Sequence, residues 1–281
     1  MKKLYFTMLL MAGLALTACS SDDTSTEPEP QAPKTYYMTV DASKAVNEAF
    51  SRVSTRALSL DGSTLNASWA TTENVYVQGK YYYSVGTFWF KGSIKPQYAG
   101  TTTRLNGVIS LPDGSSYTSI DAAIGSPHTL TLQFPRSGEL DYTGQVGTLA
   151  DIAAKYDYAV AEDVRVDVEA DEVVGVKEVT FANQQAIIKF TLMDKDNSDA
   201  VICPSAFTIT DGTNTVELTS IPDDTYSTNG PGVLYVAFRS TGNAETITLT
   251  ATVGGSTYTF TRSGVTFANG KYYEINVKMK Q

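Results

Sequence analysis

Apolar and polar residues alternate with period two along most of this chain. In "ITLTATV", residues 247–253, the positions Ile247, Leu249, Ala251 and Val253 fall on one face with threonine between them. Successive side chains of an extended strand point to opposite faces, so this pattern predicts a strand with one buried side. Gly254-Gly255 follows and "STYTFT" alternates again, which predicts a tight hairpin. The same reading groups Leu130, Leu132 and Phe134, and then Ile188, Phe190 and Leu192. Near the end, Tyr273, Ile275, Val277 and Met279 share one face, with Glu274, Asn276, Lys278 and Lys280 opposite. "GVLYVAF", residues 232–238, is apolar on both faces and suits a central sandwich strand.

Turn residues punctuate these runs at Pro112-Asp113-Gly114, Asp211-Gly212, Pro222-Asp223-Asp224 and Asn269-Gly270. Many short strands at such spacing predict β-sandwiches. One short helix is expected in "GTLADIAAKYDYAVA", where Leu149, Ile152 and Ala153 have helical spacing and Thr148 is a candidate N-cap. The fold class is therefore all-β with one short helix. An acidic, charged stretch precedes residue 179, and "VTFANQQAIIKFTL" then opens a new series of strands. The expected domains are 35–178 and 179–281.

The first residues follow a different pattern. Met1-Lys2-Lys3 is a short positive segment, and "LYFTMLLMAGLALTA" is apolar and ends in small residues. That is a secretory signal, shorter than the roughly 20 apolar residues a spanning helix needs. Leu16-Thr17-Ala18-Cys19 resembles the bacterial lipobox, in which cleavage falls before a diacylated cysteine. On this reading 1–18 is the lipoprotein signal peptide, Cys19 is the lipidation site, and outer-membrane lipid is the first partner. The alternative is an ordinary secreted protein cut elsewhere. Residues 19–34 are polar, acidic and Pro-containing, and read as a flexible tether. The "SDD" just after Cys19 resembles the surface-export signal of Bacteroidota lipoproteins. A lipidated Cys19 leaves Cys203 alone, and its apolar neighbours in "AVICPSAF" predict a buried small hydrophobe.

Cleavage before Cys19 leaves 263 of the 281 residues, enough for two domains with ample cores. The formal net charge of -9 argues against nucleic acid, whose phosphates need clustered Lys and Arg. The acidic runs read as solvated strand faces and loops.

Candidate chemistry is sparse. His128 is the one histidine, at a strand start beside Pro127, and reads as structural. The motifs of zincins, α/β-hydrolases and P-loops are absent from the sequence. No catalytic residue, cofactor or metal is expected. "DKDNSD", residues 194–199, resembles the start of a calcium loop. It fails at the sixth place, Asp199 where Gly is required, and at the twelfth, Ser205 where Glu is required. The aromatic run "YYYSVGTFWF", residues 81–90, has two readings: core and cross-strand packing, or a sugar platform. The second reading makes Trp69, Trp89 and Tyr82 the candidate glycan contacts.

Several segments, taken in order, resemble the fimbrillins of Bacteroidales, the type V pilins with their anchor and tip relatives. They are the lipobox and tether, the arginines of "AFSRVSTRALSLDG", and "ASWATTENVYVQG" with Trp69, Val75 and Val77. "LQFPRSGELDYTGQVGTLADIAAKYDYAVA", "VTFANQQAIIKFTL" and "VTFANGKYYEINVKMK" follow. The resemblance implies two transthyretin-like β-sandwich domains in tandem and a non-catalytic fimbrial subunit or accessory or tip adhesin. It implies export as a surface-exposed outer-membrane lipoprotein, with other fimbrial subunits and host or bacterial surface ligands as partners. It also implies Arg-specific cleavage that removes the first strand, about "KTYYMTVDASKAV", and strand addition from a neighbour into the groove left behind. Carried onto this chain, the candidate cleavage sites are Arg52 and Arg56. One departure is that Gln281 directly follows the last strand, where polymerising members carry a donor segment. Either that strand moves out itself, or the subunit accepts a strand without donating one. The alternative function is a lipid-anchored surface glycan-binding lipoprotein.

Overall fold

The computed structural model describes residues 34–44, 57–61, 64–135 and 140–281. The elements begin with β1 (Thr35–Lys44), β2 (Ala57–Asp61), β3 (Thr64–Ser68), β4 (Tyr76–Lys80), β5 (Thr87–Trp89), β6 (Lys91–Pro96) and β7 (Thr102–Ser110). Then come α1 (Ile120–Ile124), β8 (Thr129–Phe134), α2 (Leu149–Lys155), β9 (Ala159–Glu169), β10 (Glu172–Gly175) and β11 (Val179–Asn183). The rest are β12 (Ala186–Asp194), β13 (Ala200–Val201), β14 (Ala206–Thr210), β15 (Thr215–Leu218), α3 (Asp224–Asn229), β16 (Val233–Phe238), β17 (Glu245–Val253), β18 (Ser256–Val265) and β19 (Tyr272–Met279).

The all-β expectation holds, and two cores form. The first lies inside a sheet ordered β5-β4-β8-β9-β10-β1-β7-β6, with β11 pairing both β1 and β9. A bridge between Val75 and Ile94 brings β6 back beside β4, so the sheet folds over on itself around Trp69, Phe90, Leu105, Leu132 and Phe181. The second core lies between two smaller sheets. In one, β12 pairs β16, β13 and β19; the other runs β15-β14-β17-β18. Ile188, Phe190 and Leu192 of β12 face Phe207 and Ile209 of β14 and Leu249 of β17 in this core. The predicted hairpin joins β17 to β18, with Val253 opposite Ser256 and both loop glycines at positive φ. That is the backbone a two-residue primed turn requires. Among the described residues, no helix is long and apolar enough to cross a membrane.

The structure departs from the sequence reading in four places. β11 was expected to open the second domain, yet it hydrogen-bonds within the first sheet and buries Phe181 in the first core. Conversely, Tyr142, Ile152, Tyr156 and Tyr158 pack into the second core. The chain thus changes cores at Gln184-Gln185, inside a run with no Gly or Pro to mark the break, and Pro33–Gln281 forms one compact unit.

Among the described residues three short helices form where one was expected. α2 is the predicted one: the Thr148 side chain caps it by accepting from Asp151 N–H, and Ile152 and Ala153 are buried. α1 and α3 span five and six residues, too few to show a helical period.

β16 is apolar on both faces, but among the described residues it is flanked by a strand on only one edge. Its other edge is covered by the 142–147 segment. Gln145 Nε2 donates to the Ala237 carbonyl at 2.8 Å, Gln145 Oε1 accepts from Ala237 N–H at 2.8 Å, and Tyr235 N–H donates to the Gly147 carbonyl. A side-chain amide carries the same donor and acceptor as a peptide unit, so Gln145 substitutes for one residue of a neighbouring strand.

Cys203 is exposed rather than buried. Alternation turns Ile202, 6% exposed, into the core and Cys203 outward.

Candidate functional site: the seat of the first strand

β1 runs through the interior of the first sheet. It pairs antiparallel with β7 along nine residues, Thr35 opposite Ser110 through Ser43 opposite Thr102. On its other side it runs parallel to β10 and then to β11. Its inward residues Tyr36, Met38, Val40, Ala42 and Lys44 are all at most 2% exposed. Tyr36 Oη accepts from Ile120 N–H at 3.1 Å, which ties the start of the strand to α1. Gly175 of β10 lies beside Val40, whose methyl would meet a Cβ there at 3.1 Å. The seat is therefore shaped for large, large, medium and small side chains at alternate positions.

The last inward position is a charge. Lys44 Nζ lies 3.2 Å from Glu73 Oε1 and 3.4 Å from Asp157 Oδ2. It also stands 4.8 Å from the Trp69 ring centroid and 4.6 Å from that of Phe134. A cation over aromatic faces gains from their negative quadrupole, the more so out of water. Trp69 in turn meets Phe181 edge-on at 5.0 Å.

Both acids are held by groups outside β1. Glu73 closes a turn: its N–H donates to the Ala70 carbonyl at 3.0 Å, and its Oε2 accepts from Ala70 N–H at 3.2 Å. Asp157 Oδ1 accepts from Gln185 Nε2 at 3.4 Å, and Gln185 Oε1 accepts from Tyr158 N–H at 3.2 Å. Burial pushes the Glu73 carboxyl above its usual range, against the opposing pull of Lys44 and of the Ala70 amide. Tyr142 beside Gln185 has its phenol raised by burial in the same way.

Sequence reasoning did not find Lys44, Glu73 or Asp157. One signal was available. Continuing the alternation of Tyr36, Met38, Val40 and Ala42 by one step puts Lys44 on the buried face. A lysine there needs an anion, which sequence spacing alone does not identify.

The predicted site residues differ in their surroundings where they are described. Cys19, Arg52 and Arg56 fall outside the described residues. Trp69 is 0% exposed and has no surface to offer a glycan. Trp89 is half-buried on β5 opposite Gln78. Tyr82 is 57% exposed and meets Tyr83 edge-on at 4.6 Å. Phe88 and Phe90 of the same run are buried, so the run divides between core and surface.

His128 Nε2 lies 2.8 Å from Asp121 Oδ1 of α1. The residue borders a cleft of about 500 Å³ that includes Ser126, Arg165, Asp167 and Glu169. The "DKDNSD" stretch forms a turn in which Asp196 N–H donates to Asp194 Oδ1 and Asp199 pairs with Lys278. Among the described residues, no group of three or more His, Cys, Asp or Glu side chains is gathered as a metal would need.

No protein-family model matches the chain, and no curated protein matches it significantly. Solved structures do. A fimbrial protein from Bacteroides ovatus is 8% identical with a TM-score of 0.38, and covers 89% of this chain and 50% of its own. The chain thus spans about half the length of that protein. A fimbrial assembly protein from Parabacteroides distasonis is 10% identical with a TM-score of 0.38, covering 86% of this chain and 90% of its own. The tip fimbrial protein Mfa3 from Porphyromonas gingivalis is 8% identical with a TM-score of 0.33, covering 87% and 95%.

Proposed function

We propose that the protein is a fimbrial subunit or an accessory or tip adhesin, exported as a lipoprotein through Cys19 and assembled by β-strand addition. The observation that carries this reading is the seat of β1. A ten-residue strand lies inside a sheet with one face buried throughout. The next segment of sequence holds Arg52 and Arg56. Cleavage there separates β1 from the rest of the chain. What remains is a groove with unpaired β7, β10 and β11 edges and an apolar floor, which a neighbour's strand satisfies with backbone hydrogen bonds and alternate side chains. The order of sequence segments that resembles type V pilins supports the same assignment.

The direct test is electrophoresis of surface protein without boiling. Strand-exchanged polymer gives a ladder that collapses to one band on boiling, and Arg52→Gln with Arg56→Gln abolishes it. A single unboiled band in the unsubstituted protein excludes a stalk subunit and leaves an anchor.

The second reading, a surface glycan-binding lipoprotein, has one observation in its favour: Tyr82 and Tyr83 are 57% and 80% exposed and adjacent. A glycan pull-down with Tyr82→Ala and Tyr83→Ala as controls tests it.

A further inference from the structure

The seat of β1 is not a uniformly apolar groove. At the Lys44 end it presents two carboxylates, and neither belongs to β1: Glu73 precedes β4, and Asp157 stands between α2 and β9. Both are more than nine-tenths buried, with side chains 1% and 8% exposed. Resting on the strand-addition reading above, we propose that the vacated seat selects its occupant by charge. The strand that fills it comes from another subunit and carries a lysine on its inward face at the place of Lys44. Four apolar inward residues precede that lysine at alternate positions.

Selection at the seat is electrostatic and steric together. When β1 leaves, Glu73 and Asp157 stay, because their turn and the Gln185 amide hold them. An open seat admits water, and hydrated carboxylates are tolerated. A strand that fills the seat expels the water and leaves two acids in an apolar surround beside Trp69 and Phe134. Leaving one side of a buried ion pair uncompensated is strongly unfavourable. An apolar or acidic residue at that place therefore rejects the strand, although its backbone pairing and its other side chains are sound. The aromatic rings around Nζ favour a cation a second time. The position also sets register. Sliding the strand by one residue turns its lysine to solvent and its polar face inward. A seat of this kind distinguishes subunits by rejecting wrong strands as well as by attracting the right one.

The test uses the full chain cut after Arg52 or Arg56 and labelled peptides of sequence "TYYMTVDASKAV", residues 35–46, at neutral pH. The parent peptide is compared with its Lys44→Met and Lys44→Glu forms for uptake into the cut chain. The parent peptide should be taken up, and the Lys44→Met form should bind about 100-fold more weakly or worse. In a chain carrying Glu73→Gln and Asp157→Asn the preference for lysine should disappear. Equal uptake of the parent and Lys44→Met peptides overturns the charge selection while leaving strand addition intact. Failure of every peptide to enter overturns strand addition itself. The peptide series on the unsubstituted chain decides the matter even if the Gln/Asn variant does not fold.

Discussion

Lys44 Nζ stands 3.2 Å from Glu73 Oε1, and each side chain is 1% exposed. The pair joins the end of β1 to the turn ahead of β4, and Asp157 extends it towards Gln185 at the start of the second core. Desolvating such charges offsets most of what their attraction contributes, so the cluster adds little net stability over an apolar equivalent. Under the proposed strand addition, its effect is on which strand occupies the seat and in which register.

Breaking the cluster from one side is costly. Lys44→Met leaves two buried carboxylates and should destabilise the protein by about 3–5 kcal/mol. Adding Glu73→Gln and Asp157→Asn to that variant should restore most of the loss. Denaturant unfolding of the single and triple variants measures both, and a triple variant no more stable than Lys44→Met contradicts the account.

The pH dependence has a definite sign. Glu73 is raised above its ordinary value of 4.5, chiefly by burial. In the pH range above that value the folded chain holds a proton that the unfolded chain has released. The contribution of Glu73 to stability is full below 4.5 and is lost as pH rises through the folded value. Relative to Glu73→Gln, the wild-type protein should lose stability across that window. A difference between the two that does not change with pH refutes this.

Gln145→Ala removes both contacts to Ala237 and leaves a buried N–H and C=O unpaired. The expected loss is about 2–4 kcal/mol, with faster hydrogen exchange at the Ala237 amide. Unchanged exchange there means that the edge of β16 is protected by something other than this side chain.

Cys203 should react with a maleimide in the native protein at a rate near that of the unfolded chain, since it is exposed. Native protection of 100-fold or more contradicts the outward placement.

The strands were legible in the sequence because each buries one face, and period two survives wherever that holds. Ile188, Phe190 and Leu192 were placed together from spacing alone, as were Leu130, Leu132 and Phe134. Pattern fails where burial comes from elsewhere. β16 reads as a central strand, yet Gln145 and its neighbours cover the open edge, and a contact 92 residues away leaves no local mark. The move from first core to second at Gln184-Gln185 is likewise unmarked, because β11 and β12 have the same alternation and differ only in their partners. The charged end of the β1 seat was half legible: parity places Lys44 inward, while Glu73 and Asp157 come from turns 29 and 113 residues away.

The claim that β1 is a removable strand is tested most directly by the N-terminal sequence and intact mass of the protein taken from assembled surface material. A start at Val53 or Ala57, with residues 35–44 missing from the mature mass, is the predicted result. A protein still beginning at a lipid-modified Cys19, with β1 in place throughout the assembled fraction, contradicts it.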